Sequence, residues 1–424
     1  MKVLVLGGGG REHALAWRLS QSESVSQVVA LPGNPGIGEC ARLIPGDPND
    51  PATVVEAAKS EGAALVVVGP EAPLIAGVAD KLREAGIDVF GPVAAAAQIE
   101  GSKAFAKQLM QKVGVPTAQF GTFAEIADAE QFIREMDAQG RKIVVKASGA
   151  ALGKGAIVCD DADEAVEAAR RMLVAREFGE AGEVIVVEER LTGRELSLFA
   201  LCNGEEYVLL PCAQDYKRAE DGDKGPNTGG MGAFSPVEDV SNAQLEALGR
   251  AFIAPIVRHF RSKGTPYVGV LYAGLMMTPM GPFALEYNAR FGDPEAQAIL
   301  PRLRGDLGAL LVAAARGERL SAPEVDPRHS VVVVVAARGY PGTYRKGLPL
   351  PNVSLSNGIL LFHAGTQEQG GKVVSSGGRV LNVVALADSR EEAARSAYAS
   401  LEGLSYDWHF RRDIGAAPSG RASG

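Results

Sequence analysis

The stretch Lys2-Val-Leu-Val-Leu-Gly7-Gly-Gly-Gly10-Arg-Glu-His13 decides the first reading of the fold. An apolar run of strand length stops at four glycines, and a helical pattern then runs through Arg11–Ser20. A buried strand feeding a helix through a glycine turn opens a parallel sheet covered on both faces. The N-terminal run is too short for a secretory signal. Glycines let a ligand approach the backbone, and unpaired N–H groups at a helix start attract an anion. Spacing excludes the dinucleotide fingerprint GxGxxG: counted from Gly7 its third glycine falls on Glu12, and counted from Gly8 on His13. The second strand ends in Ala30-Leu-Pro-Gly33, without an acid for a ribose hydroxyl, so a dehydrogenase is set aside. The preferred reading is a phosphate cradle of Gly8, Gly9 and Gly10; a tight turn that binds nothing is the alternative.

Outward from this stretch, strands at Val3–Leu6, Val28–Ala30, Leu65–Val68 and Ile87–Phe90 alternate with helices at Arg11–Ser20, Pro51–Ser60 and Leu74–Ala85. That alternation predicts a Rossmann-like domain over 1–100, with ligands at the carboxyl ends of its strands. Beyond it a helix is expected at Gly101–Gly114. Strands at Ile143–Lys146, Ala156–Cys159 and Val184–Glu188, with a helix at Asp163–Arg176, read as a small α+β module over 121–190. Residues 101–120 and 191–327 form the expected central unit, with long helices at Asn242–Lys263 and Pro294–Gly317. A mainly β unit with a final helix at Glu391–Leu401 and a frayed tail fills 328–424. The expected class is multidomain, α/β followed by α+β.

Composition narrows the function. The 424 residues are 46% hydrophobic and 22% charged, as in a soluble globular protein. With 43 basic and 51 acidic side chains the net charge is −8, which argues against a nucleic-acid-binding surface. No apolar run approaches the ~18 residues of a membrane span. Four cysteines show neither disulfide-scaffold density nor metal spacing, and no HExxH is present. A cytoplasmic, reducing location and a monomer working on small molecules, with no nucleic-acid or membrane partner, are the expectations.

Two further motifs carry chemistry. Lys146-Ala-Ser-Gly-Ala-Ala-Leu-Gly-Lys154-Gly155 has Ser148 where a Walker A loop needs its first glycine, and Gly155 in place of the final Ser or Thr. Flanked by two strands, it reads as a hairpin whose Lys146, Gly153, Lys154 and Gly155 fold over a polyphosphate; an exposed hairpin with solvated lysines is the alternative. In Leu285-Glu286-Tyr-Asn288-Ala-Arg290-Phe-Gly-Asp293-Pro-Glu295, the strand period puts Glu286 and Asn288 on one face. A carboxylate beside an amide oxygen suits Mg²⁺, which keeps water and phosphate ligands. Arg290 continues that face as a fork for a carboxylate, with Asp293 on the following turn; a structural ion-pair network is the other reading. Asp215-Tyr-Lys217-Arg218 and Asn227-Thr-Gly-Gly-Met-Gly232 bracket a charged, glycine-rich loop.

These motifs occur in one order with Gly69-Pro-Glu71-Ala-Pro-Leu74, Glu100-Gly-Ser-Lys103-Ala-Phe105, Phe362-His-Ala-Gly-Thr366 and Ser376-Gly-Gly-Arg379-Val-Leu381. Together they resemble the phosphoribosylamine–glycine ligase family, from residue 1 to about Gly415. The resemblance implies an ATP-grasp ligase that joins glycine to 5-phospho-β-D-ribosylamine through glycyl phosphate, using ATP with Mg²⁺ or Mn²⁺. It implies that Lys103, Lys146 and Lys154 contact the ATP phosphates, that Glu188 and Glu189 border the adenine, and that Glu195 lies near the ribose. Glu286 and Asn288 would bind the metal. Gly8, Gly9 and Gly10 would cradle the sugar phosphate, with Glu71 near its ribose. Asp215, Lys217, Asn227, Arg290 and Asp293 would hold glycine and the attacking amine. The chain departs from the common family pattern at Ser148, where Asp is usual, at Tyr216, where His is usual, and at Ala213, where Ser is usual. A different ATP-grasp carboxylate–amine ligase and a non-catalytic nucleotide-binding regulator are the rival functions.

Overall fold

The computed structural model describes residues 1–149, 155–355 and 358–416. The opening stretch forms the central strand of a five-stranded parallel sheet. Arg42–Leu43 and Gln27–Pro32 lie on one side of Lys2–Gly7, and Leu65–Val68 and Val89–Phe90 on the other. Lys2–Gly7 pairs in register with both neighbours, Val3 opposite Val28 and Leu65. Val3 to Leu6 are fully buried, because helices cover both faces. Connections leave the first strand toward one side and reach the other later in the chain. This makes its carboxyl end a topological switch point, where ligands bind in such sheets. The loops after Gly7 and Val68 lie at that end.

Several expected helices are divided, each at a residue with a local reason. Leu74–Ala85 is two helices, Glu71–Ile75 and Val78–Glu84, because Gly77 takes a left-handed φ of 84°. Gly101–Gly114 begins at Lys103, capped by Ser102, whose Oγ accepts the Phe105 N–H at 3.2 Å; a separate helix, Ala94–Gly101, precedes it. Pro294–Gly317 is a short helix Glu295–Ile299, a 3₁₀ turn Leu300–Arg302 containing Pro301, and a helix Leu307–Ala315 capped by Asp306. Asn242–Lys263 is nearly continuous but widens into a π-helical segment at Gly249–Ile253.

Three antiparallel layers follow the first domain. Phe120–Phe123, Ile185–Glu189, Ile143–Ala147 and Ala156–Cys159 form a four-stranded sheet. Helices Ile126–Ala138, not foreseen from the sequence, and Ala162–Leu173 close over it around a core that includes Ile133, Met136, Val145, Ala169 and Val187. A larger sheet runs Tyr207–Leu209, Arg194–Asn203, Val268–Thr278, Gly281–Asn288. The last sheet is centred on His329–Ala337, flanked by Arg379–Ala387 and Ile359–His363. It does not begin at residue 328: Gly232–Ser235 pairs with it, Gly232 opposite Val333, and Gln214–Asp215 extends it. The charged loop of 214–235 is thereby held against the C-terminal unit. Among the described residues no helix is long and apolar enough to cross a membrane.

Candidate active site

The glycine loop is packed against other chain segments rather than left open. A Cβ on Gly8 would sit 2.4 Å from the carbonyl oxygen of Gly33. One on Gly9 would sit 2.7 Å from Glu12 Oε2 and 3.6 Å from Asp293 Oδ2. The Gly9 N–H donates to Glu12 Oε2 at 2.7 Å, and Arg11 Nε donates to the other oxygen at 2.6 Å. Arg11 also donates to the Phe291 carbonyl at 3.0 Å, tying the loop to the turn that carries Asp293. The helix start therefore already faces two acids. Burial pushes the Asp293 carboxyl up, but Arg379 and Arg11 hold it below the usual range. Gln297 donates to Asp293 Oδ1 at 2.7 Å. Arg379 donates to the backbone carbonyls of Asp293 at 2.6 Å and Gly229 at 2.7 Å. Arg379 was not singled out as a site residue; its only signal was the Ser376–Leu381 motif, more than eighty positions from its partner.

Arg290 was expected to offer a fork to a substrate carboxylate. Instead it grips protein acids. Its Nε donates to Glu71 at 2.9 Å, its Nη2 lies 2.6 Å from Glu100, and its Nη1 donates to the Phe291 carbonyl at 3.1 Å. Nη2 also approaches Asn288 Oδ1 at 3.4 Å. Burial alone would raise Glu71, but Arg290 and Arg11 bring it to about 2. Burial dominates at Glu100, whose carboxyl is raised while accepting the Ala289 N–H at 2.7 Å. Glu100 is a second residue that sequence reading did not single out. Arg290 thus positions Glu71, Glu100 and the strand end at Asn288.

The lysines converge between the small sheet and the helix Lys103–Val113. Glu188 is buried between two ammonium groups, with Lys107 Nζ at 2.5 Å and Lys146 on its other oxygen. Its carboxylate is committed to those lysines rather than free to meet a base. Burial opposes ionisation, and the two lysines keep Glu188 below the usual range. Glu189 pairs with Arg141. Lys103 donates through its backbone N–H to the Ser148 carbonyl at 2.8 Å, and its Nζ reaches the Gly149 carbonyl at 3.4 Å. Ser148 Oγ accepts the Ala104 N–H at 3.1 Å, so this departure from the common pattern caps the helix that carries Lys103. The predicted Gly153 and Lys154 lie outside the described residues; the Gly155 carbonyl accepts the Ala147 N–H at 2.7 Å as the returning strand begins.

Glu286 and Asn288 face this lysine group from the larger sheet. Gly274 stands opposite Glu286, where a Cβ would only just clear the carboxylate stem at 3.4 Å. Burial raises the Glu286 carboxyl, but Lys217, Lys146, Lys103 and Arg290 together hold it low. None of these forms a direct ion pair with it among the described residues, so the charge is surrounded by cations without being capped by one. Nor does any group of three or more His, Cys, Asp or Glu suited to a metal occur among the described residues. Two oxygen donors and nothing more fit a hard divalent ion that keeps phosphate and water as its other ligands.

Next to them lies the pair Asp215 and Lys217. Lys217 is bound to Glu195 and stands 4.0 Å from Asp215. Burial, with Glu295 and Glu195 adding to it against Lys217, pushes the Asp215 carboxyl to about 8. Glu295, also not singled out from sequence, accepts the Tyr272 hydroxyl at 2.8 Å. Asn227 sits opposite Arg218 in a hairpin, and the Thr228 N–H donates to the Lys217 carbonyl at 2.7 Å. The structure therefore brings together two clusters. Lys103, Lys146, Glu188, Glu286 and Asn288 make one. The other holds Gly9, Asp293, Arg379 and Arg290 with Glu71.

Comparison with known proteins gives the architecture a family. Three models of phosphoribosylglycinamide synthetase match consecutively: the N domain over residues 1–100, the ATP-grasp domain over 101–296 and the C domain over 330–417. The phosphoribosylamine–glycine ligase of Rhodopirellula baltica is 45% identical over 421 residues, covering 97% of this chain and 96% of that protein. That of Mesorhizobium japonicum is 47% identical over 420 residues, covering 98% of each. The crystal structure of the Thermotoga maritima phosphoribosylamine–glycine ligase matches with a TM-score of 0.83 at 33% identity, over 97% of this chain and 100% of that one. Biotin carboxylase of Campylobacter jejuni, with a TM-score of 0.74 at 15% identity, shares the fold alone. The chain belongs to the phosphoribosylglycinamide synthetase family and is an ATP-grasp ligase.

Proposed function

We propose that the chain joins glycine to 5-phospho-β-D-ribosylamine, with ATP first converting the glycine carboxylate to glycyl phosphate. The observation that carries the site assignment is Glu286, a carboxylate ringed by Lys103, Lys146, Lys217 and Arg290 and directly paired with none of them among the described residues. Glu286 and Asn288 would hold a divalent ion, Mg²⁺ with Mn²⁺ as substitute, which lowers the charge barrier to phosphoryl transfer. Lys103, Lys146 and Lys154 would contact the ATP phosphates. Glu188 would act by holding Lys146, and the adenine would lie along the strand that carries Glu188 and Glu189. Glu195, already balanced by Lys217, would meet the ribose.

At the other cluster, Gly8, Gly9 and Gly10 would take the sugar phosphate, and Glu71 its ribose. Asp215 and Lys217, which lie beside Glu286, would with Asn227 and Asp293 surround glycine and the attacking amine, with Arg379 setting the turn of Asp293. The amine must lose a proton as it attacks. A carboxyl that titrates near 8 and lies beside Lys217 is suited to accept it, and Asp215 is that group. A cytoplasmic, monomeric enzyme completes the proposal; the four cysteines, all unpaired, agree with a reducing compartment.

The test offers Mg-ATP and phosphoribosylamine with glycine or other amino acids, and follows ADP release. Glycine-dependent release is expected; turnover only with another acid would overturn the substrate assignment. Glu286→Ala is expected to abolish turnover while leaving a cooperative thermal transition, and an active variant would remove Glu286 from the metal site.

A further inference from the structure

A cleft of about 650 Å³, which shares no lining residue with either cluster, lies between the end of the helix Gly10–Ser20, the turn 301–306 and the edge strand Ile359–His363. Arg18 lines it and is only 6% exposed. Its Nε donates to the Leu303 carbonyl at 3.0 Å and its Nη2 to the Gly305 carbonyl. Nη1 has no acceptor, and no carboxylate lies within ion-pair distance of the guanidinium, among the described residues. Nη1 reaches solvent through the cleft, so an anion that enters meets a guanidinium edge with no protein partner.

The neighbouring charges sharpen this. Asp306 lines the cleft, but its carboxylate already accepts the Ser24 N–H at 2.7 Å, the Ser24 hydroxyl at 2.8 Å and the Ala309 N–H at 2.9 Å. Glu23 is at the exposed rim. Arg304 and Arg328, also on the wall, share the single acid Asp326. Burial and the nearby Arg304 both act against the Arg18 charge, and Asp306 only partly offsets them. The rest of the lining includes apolar side chains: Trp17, fixed edge-on against Phe362 at 5.6 Å, with Leu360 and Leu386.

We propose that this cleft is a second ligand site, separate from the ligase centre, for a small organic anion. A phosphate or carboxylate sets against Arg18, and a flat apolar body lies on Trp17 and Leu360. The inference does not depend on the substrates proposed above.

Trp17 supplies the readout, since the only other tryptophan, Trp408, is buried elsewhere. With Mg-ADP present to fill the nucleotide site, phenyl phosphate, naphthoate and inorganic phosphate are titrated separately against tryptophan fluorescence. A saturable change with phenyl phosphate or naphthoate is expected, and the tighter of the two identifies the head group. Arg18→Gln should weaken it at least tenfold. Because Arg18 also supports the 303–305 turn, Leu360→Glu, which places a negative charge in the cleft lining, should weaken it similarly in a protein with an unchanged thermal transition. No saturable change with either aromatic anion, a response to inorganic phosphate alone, or equal binding by the parent and both variants would overturn the proposal.

Discussion

Lys107 Nζ lies 2.5 Å from Glu188 Oε2, and both side chains are 3% exposed. Neither residue reaches the other by sequence proximity: a helix of the central unit and a strand of the small sheet bring them together. Glu188 in turn holds Lys146, so the pair links core packing to a lysine proposed to meet ATP. Removing one partner of a buried pair leaves the other charge exposed to low dielectric, at a cost of about 3 kcal/mol. Lys107→Met should lower the denaturant-unfolding free energy by about that amount and raise KM for ATP more than it lowers kcat. An unchanged unfolding free energy would show that Lys146 alone satisfies Glu188.

Arg290→Lys tests the acid hub. Lysine keeps the charge but lacks the planar fork that reaches Glu71, Glu100 and Phe291 at once. Loss of that geometry should lower kcat/KM about 100-fold, equivalent to about 3 kcal/mol. Steady-state kinetics check it; near-parent activity would mean that charge alone suffices.

The pH dependence follows from Asp215. Its carboxyl titrates near 8 when folded, well above its ordinary value of 3.8. Between those values the folded state binds a proton that the unfolded state lacks, so this group makes stability fall as pH rises. The ionised form is the proton acceptor, so kcat/KM should rise through pH 8 and level off above it. Asp215→Asn should remove both the rise and that share of the stability decline. A pH–rate profile and thermal melts at several pH values check the two parts separately.

Ser148 offers a smaller, opposite test. Its hydroxyl satisfies the Ala104 N–H at a helix start, a contact worth about 1 kcal/mol. Ser148→Ala should lose about that much stability and loosen the strand end from Lys103. Ser148→Asp, the residue common in the family, places a carboxylate at the same N-terminus and should equal or exceed the parent in thermal melts.

What was legible in the sequence was local. The strand Lys2–Gly7, its glycine turn and its helix are contiguous, and period two alone puts Glu286 and Asn288 on one face. Helix interruptions at Gly77, Ser102 and Pro301 were also written locally, but their residue types compete with strong helical patterns on either side. Tertiary structure alone decided which charge meets which. Arg290 carries the same guanidinium whether it grips a substrate or a protein acid; only folding brings Glu71, 219 positions away, to 2.9 Å from it. Strand pairing is equally non-local, so nothing in Gly232–Ser235 announced that it would join the sheet of His329–Ala337. A side chain's chemistry is encoded at its own position, but its partners are set by the packing of distant segments. Candidate residues for this site could therefore be named from sequence, while the contacts that Arg379, Glu100 and Glu295 make with them emerged only in three dimensions.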